Sequence, residues 1–135
     1  FLCVGNSARS QIAEGLAREM LPSKFTVESA GSSPSGFIHD AALKTMKEVG
    51  IDISQQKSKC IDDLDDEFLH NLDFVITLCA EEVCPVMESS AKKIHWPNPD
   101  PVIDGVSGLQ QESLFRETRE NIFMMLKKFF TNMKT

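Results

Sequence analysis

Short runs of strand-forming residues alternate with helical periodicities along this chain, and that alternation is the strongest constraint on its fold. Phe1-Leu2-Cys3-Val4 is an apolar strand end, followed by a polar loop with Gly5 and Asn6. Ile12, Leu16 and Met20 then recur every four residues, with Ala13 and Ala17 alongside, which predicts a helix. Pro22 stops it, since proline lacks the amide a helix needs. Phe25 to Ala30 (FTVESA) predicts a strand ending at Gly31, and Ser32 to Gly36 a loop. A helix from about Asp40 to Val49 closes at Gly50, a residue suited to a left-handed helix end. Ile51 to Lys59 reads as irregular. The acidic stretch Asp62 to Glu67 opens a short helix carrying Leu64, Phe68, Leu69 and Leu72, its charge suited to the helix N-terminus. Asp73 to Leu78 (DFVITL) predicts a strand buried on both faces, and Lys92 to Trp96 a further strand. After the prolines at 97, 99 and 101, a helix runs from about Leu109 to Met133 with Phe115, Ile122, Leu126 and Phe129 on its period.

This order favours right-handed parallel crossovers, hence an α/β fold with an open parallel sheet covered on both faces. Ligands bind such sheets beyond the carboxyl ends of the strands. The 135 residues are expected to form one domain, 1–135, with no repeat or linker dividing them. With only two residues before the end of its first strand and no initiator Met, the native polypeptide is expected to begin several residues earlier. Lys and Arg number 14 against 20 Asp and Glu, a formal net charge of −6. Without a basic cluster, that balance disfavours nucleic-acid binding. No apolar stretch approaches a membrane span and no signal-peptide pattern is present, so the expected compartment is the cytoplasm. The four cysteines, Cys3, Cys60, Cys79 and Cys84, are then expected to be reduced, either as buried fillers or as chemical groups.

Cys3-Val4-Gly5-Asn6-Ser7-Ala8-Arg9-Ser10 sets a cysteine at a strand end and an arginine in the first turn of the following helix. The intervening residues can wrap their N–H groups around a tetrahedral oxyanion, with the helix N-terminus adding positive potential. Arg9 would hold two equatorial oxygens through its planar fork. The same field favours a thiolate on Cys3. Ser10 can donate to that thiolate and the Asn6 side chain can brace the loop. The alternative is a structural cysteine in an ordinary strand-to-helix turn, with Arg9 on a solvated face.

The run CVGNSARSQIAEG resembles the signature loop of the low-molecular-weight protein tyrosine phosphatase superfamily. FTVESAG resembles its second strand, IDIS its middle loop, and NPDP the loop that carries its Asp-Pro pair. The resemblance implies a four-stranded open parallel sheet with helices on both faces, and places Asp100 as a general acid. Ala8 departs from the pattern where a second cysteine often stands; the loop amides and Arg9 remain, so oxyanion binding is expected to survive.

Two branches of that superfamily share the loop. The phosphatase branch tends to carry tyrosines after its Asp-Pro, whereas this chain has no Tyr and continues Val102-Ile103-Asp104. Thr77 to Pro85 (TLCAEEVCP) instead resembles the redox segment of the thioredoxin-coupled arsenate reductases, as does His95-Trp96. In that branch Cys3 would attack arsenate, Cys79 would displace arsenite by forming a disulfide with Cys3, and Cys84 would take over the disulfide for reduction by thioredoxin. No bound cofactor is implied. A glutaredoxin or mycothiol reductant, an aryl phosphatase and a non-catalytic oxyanion sensor for arsenate or phosphate stay open. So do a filler role for the second thiol pair and a metal site completed by Cys60 and a histidine. Asn6, Glu14 and Ser29 match positions that surround potassium in some reductases, although Lys59 stands near the position of a further acidic ligand. His39, His70 and His95 are expected on the surface or behind the site rather than as metal ligands.

Overall fold

Very short strands suffice when each is gripped by parallel neighbours. In the computed structural model, which describes residues 1–80 and 85–133, β1 (Leu2–Cys3) lies between β2 (Ala30–Gly31) and β3 (Phe74–Thr77), with β4 (Lys92–His95) beyond β3. All three pairings are parallel, with Cys3 beside Gly31, Leu2 beside both Ala30 and Thr77, and Ile76 beside Ile94. The chain leaves β1 toward β2 on one side and later builds β3 and β4 on the other. That reversal opens a crevice at the carboxyl end of β1.

The side-chain period of a strand, two residues, sends neighbours to opposite faces. Val75 accordingly joins Leu2, Ala30 and Leu64 in a small core, with Phe68 and Leu69 of α3 (Asp66–His70) packed against it. Ile76 faces the other way, into a larger core built by Ile12, Leu16 and Ala17 of α1 (Arg9–Met20), Met46 of α2 (Asp40–Lys47), and Phe115, Ile122 and Leu126 of α4 (Gly108–Met133). Helices therefore cover both faces of the sheet. Polar bonds tie α2 to α4: Arg119, nearly buried, donates to the Thr45 carbonyl at 2.7 Å, and Arg116 donates to Glu48. Hydrogen bonds from Arg116 hold the Glu48 carboxyl below the usual carboxylate range.

Three expected elements take different bounds. The strand expected over 25–30 is Ala30–Gly31, which pairs with Leu2 and Cys3. Helix α2 ends at Lys47 rather than Val49, and its last turn winds into Gly50 at φ +79°. The acidic segment splits into a 3-10 turn, Ile61–Asp63, and α3. Asp63 closes that turn by accepting from the Cys60 amide at 3.1 Å, and Leu64 then turns extended at ψ 141° to reach the small core.

One glycine is required by the approach of β2 to the chain leaving β1. A Cβ on Gly31 would lie 2.3 Å from the Val4 carbonyl oxygen and 3.1 Å from the Asn6 amide nitrogen, both backbone atoms that cannot swing aside. Gly31→Ala is expected to lower stability by about 1–3 kcal/mol, the usual range for overpacking. Urea unfolding would read this as a lower midpoint; an unchanged midpoint would contradict it.

Candidate active site

The crevice at the end of β1 holds Cys3, 3% exposed, and the loop that follows it. For a loop to aim its N–H groups inward, its carbonyls must find donors elsewhere. Here they do. The Val4 carbonyl accepts from the Ser33 amide at 3.0 Å, Gly5 from Ser35 at 2.9 Å, Ser7 from His39 at 2.9 Å and Ala8 from Ile12 at 2.9 Å. The Asn6 carbonyl accepts from Gln11 Nε2 at 3.1 Å. The Asn6 amide donates to Cys3 Sγ at 3.2 Å, and within the described residues the amides of Gly5, Ser7 and Ala8 donate to no protein acceptor. Together with the start of α1 at Arg9, this is a cradle for an oxyanion beside a sulfur.

Asn6 is the hub. It is fully buried and adopts φ +47°, the left-handed region that asparagine tolerates better than other branched or bulky residues. Its Oδ1 accepts from the Lys59 amide at 2.8 Å and from Gln11 Nε2 at 3.1 Å, which fixes the orientation of the side-chain amide. Its Nδ2 then donates twice, to Ser10 Oγ at 2.7 Å and Ser29 Oγ at 3.0 Å. Ser10 Oγ, which accepts from Asn6, lies 2.8 Å from Cys3 Sγ, where it can donate its own proton to a thiolate. A donor at that distance favours the thiolate. Ser29 Oγ donates in turn to Glu14 Oε1 at 2.6 Å.

Arg9, 5% exposed, donates from Nη1 to the Asn98 carbonyl at 2.9 Å. This ties the guanidinium to the loop after β4, in which Asn98 is itself anchored by donating its amide to the Leu78 carbonyl at 3.0 Å. Asp100 lies two residues further along that loop with an exposed side chain, one carboxylate oxygen accepting from the Val102 amide at 3.0 Å. Cys79, 1% exposed, stands just past β3, beside the end of β1, and is disulfide-bonded. Cys3 and Cys60 are free thiols. Cys84 lies outside the described residues.

Cys60 pairs beside Gly31 on the outer side of β2, and among the described residues no three His, Cys, Asp or Glu side chains cluster as a metal site would need. His39 caps α2, accepting from the Ala41 amide through Nδ1; His95 contacts Thr77 Oγ1 at 2.7 Å, and His70 bonds the Asp66 carbonyl. No described helix is long and apolar enough to cross a membrane. The sequence reading overlooked Asn98 and Gln11. Neither belongs to the Cys-to-Arg run; a buried amide in a proline-rich loop and a polar residue on the inner face of α1 are weak signals without coordinates.

Comparison with known proteins places this geometry. A family model described as low molecular weight phosphotyrosine protein phosphatase matches residues 1–135. An arsenate reductase of Bacillus subtilis is 43% identical over 133 residues, covering 96% of this chain and 91% of that protein. A solved structure described as an arsenate reductase in the phosphate binding state is 33% identical, with a TM-score of 0.77 over 98% of this chain and 95% of that one. A thioredoxin-dependent arsenate reductase of Corynebacterium glutamicum is 30% identical, with a TM-score of 0.72 over 99% of this chain and 60% of that one.

If Ser10 supplies the hydrogen bond that favours the thiolate, Ser10→Ala should slow alkylation of Cys3 by iodoacetamide at pH 7 by about tenfold, the effect of losing one charge-assisted bond. Peptide mass spectrometry separates Cys3 from the other thiols, and an unchanged rate would remove Ser10 from the site. Asn6→Ala should cost about 1–2 kcal/mol more in urea unfolding than Asn6→Gly, since both lose the side-chain bonds but alanine alone strains at positive φ.

Proposed function

Because the chain belongs to the low molecular weight phosphotyrosine protein phosphatase family, we propose that it reduces arsenate to arsenite, using Cys3 as nucleophile and Cys79 and Cys84 to carry the oxidation away. Arsenate is a tetrahedral oxyanion of the size the loop cradle accepts. The amides of Gly5, Ser7 and Ala8 and the Arg9 guanidinium hold its oxygens, with Val4, Asn6 and Ser10 completing the loop around the sulfur. The Cys3 thiolate attacks arsenic, forming a sulfur–arsenic bond while one oxygen leaves as water with a proton from Asp100. The Cys79 thiolate next attacks Cys3 sulfur. The electron pair of the sulfur–arsenic bond passes to arsenic, which departs as arsenite, and a Cys3–Cys79 disulfide remains. Cys84 then attacks Cys79, Cys3 leaves as a thiolate, and the disulfide resides on Cys79 and Cys84. An external dithiol, thioredoxin in this reading, restores both thiols by exchange.

The observation that carries this reading is the contrast between Cys3, a free thiol hydrogen-bonded to the Ser10 hydroxyl and the Asn6 amide of its loop, and Cys79, disulfide-bonded at the neighbouring strand end. A phosphoryl transfer needs no second thiol in the crevice. Burial adds a reason for a third: at 3% and 1% exposure, neither Cys3 nor Cys79 can meet a bulky protein dithiol directly. A compartment that keeps dithiols reduced, the cytoplasm, suits the cycle.

The test is arsenate-dependent NADPH oxidation coupled through thioredoxin and thioredoxin reductase. Turnover is expected; its absence alongside brisk aryl phosphate hydrolysis would favour the phosphatase reading, and tight oxyanion binding with neither activity would mark a sensor. Cys3→Ser should abolish turnover, and Asp100→Asn should lower it by about a hundredfold, the low end for a general acid. Cys84→Ser should complete one turnover and stall with a Cys3–Cys79 disulfide visible by mass spectrometry. A Cys84→Ser enzyme that still cycled with thioredoxin would overturn the relay.

A further inference from the structure

Behind the anion loop, on the side away from the crevice, lies a compact group of charges that the reaction above does not use. The Glu14 carboxylate is 3% exposed. It accepts from Ser29 Oγ at 2.6 Å and from Arg18 Nε at 3.0 Å. Lys59 Nζ stands 4.0 Å from Glu14 Oε1 and 3.1 Å from Glu28 Oε2, with its side chain only 20% exposed. Two carboxylates thus face two cations. The main-chain amide of the same Lys59 donates to Asn6 Oδ1 at 2.8 Å, so one residue touches the hub of the loop with its backbone and the charge behind it with its side chain.

These groups do not suit a bound potassium ion. Asn6 Oδ1 already accepts twice, and Ser29 Oγ both accepts from Asn6 and donates to Glu14. A further cation would stand among the Lys59 ammonium, the Arg18 guanidinium and only two carboxylates. Like charges at such separations repel, and the coordination a metal ion requires would have to displace hydrogen bonds already made.

We propose that Lys59 is a positioning residue for Cys3, its ammonium serving as a built-in cation that balances Glu14 and Glu28 and so holds the Glu14–Ser29–Asn6–Ser10 hydrogen-bond chain pointed at the sulfur. The direction of that chain follows from its far end. A carboxylate can only accept, so Ser29 donates to Glu14 and accepts from Asn6. Asn6 donates its other amide proton to Ser10, and when Cys3 is a thiolate, which can only accept, the Ser10 proton points at the sulfur. Without the ammonium only Arg18 would face the two carboxylates, and the excess negative charge behind the loop would oppose a thiolate on Cys3; the ammonium removes that effect without a dissociable ion. The inference rests on Cys3 as the nucleophile of the proposed reaction.

Lys59→Met removes the charge, keeps most of the side-chain bulk and leaves the main-chain bond to Asn6 intact, while Lys59→Arg keeps the charge. The readouts are iodoacetamide alkylation of Cys3 at pH 7, and kcat and KM for arsenate in sodium against potassium chloride at equal ionic strength. Wild type is expected to be indifferent to the exchange of sodium for potassium. Lys59→Met should lose about tenfold in alkylation rate and in kcat, with KM changing less, and Lys59→Arg should recover most of the loss. A Lys59→Met protein that alkylates as fast as wild type, or a wild type whose rate rises several-fold with potassium, would overturn the proposal. Should the methionine variant fail to fold, Lys59→Gln and the potassium comparison on wild type decide in the same way. Alkylation needs no arsenate, so a protein without reductase activity that still shows the Lys59 effect would overturn the proposed reaction and leave this inference standing.

Discussion

A ring of amide hydrogens can face one sulfur only when the carbonyls of the same loop are occupied elsewhere, and much of this molecule is arranged to occupy them. The segment from Ser33 to His39 supplies three of the donors, and α1 and the Gln11 side chain supply the others. Gly31 lets β2 lie against the Val4 carbonyl at a distance no side chain allows. The packing of α2 on α1 and α4 keeps His39, and with it the Ser7 carbonyl, in place. His39 also stacks on Phe115, so the large core supports the loop through that ring as well as through the buried Ala8. Strand order, core and anion cradle are therefore one structural problem: the crevice exists because β1 sits at the reversal point, and the loop holds its shape because both neighbouring layers grip it.

The Arg9 guanidinium shows how the second half of the chain enters the same site. Its bond to the Asn98 carbonyl joins α1 to a loop nearly ninety residues later, and Asn98 is held in turn through the Leu78 carbonyl at the end of β3. The Leu78 amide donates to the Leu2 carbonyl of β1. A closed circuit of backbone and guanidinium bonds thus connects β1, β3 and the Asp100 loop, and it fixes the fork of Arg9 so that little rotamer freedom is lost when an oxyanion is bound. The proline-rich sequence around Asn98 aids this by removing alternatives to the observed chain path.

What the sequence disclosed and what it withheld follow from the range of the interactions involved. Cys3, Arg9, Ser10 and Asn6 lie within eight residues of one another, so strand end, loop and helix start could be read from local pattern alone. The long helix Gly108–Met133 was legible because Phe115, Ile122 and Leu126 repeat at helical spacing and all three are buried. The extent of β2 was not legible, since pairing with another strand, and not the composition of the run FTVESA, decides which residues join the ladder. Asn98 and Gln11 escaped notice, and the contact of Lys59 with Asn6 was not legible, for a related reason. Each acts through a bond to a residue far away or through its backbone, and neither kind of bond leaves a mark on residue type or spacing.

Charge illustrates the same separation between composition and site. The chain carries a formal net charge of −6, which by itself argues against binding an anion. At physiological ionic strength, however, charges more than about 8 Å apart are largely screened, so the surface carboxylates contribute little inside the crevice. The nearby ionised groups that could oppose a thiolate, Glu14 and Glu28, are each matched by a cation within hydrogen-bonding or ion-pair distance. What remains at the sulfur is the field of oriented amides, the helix start and Arg9, which is positive and fixed before any ligand arrives. An acidic protein can hold an oxyanion because the field that matters is made of backbone dipoles, and these do not appear in a count of charged residues.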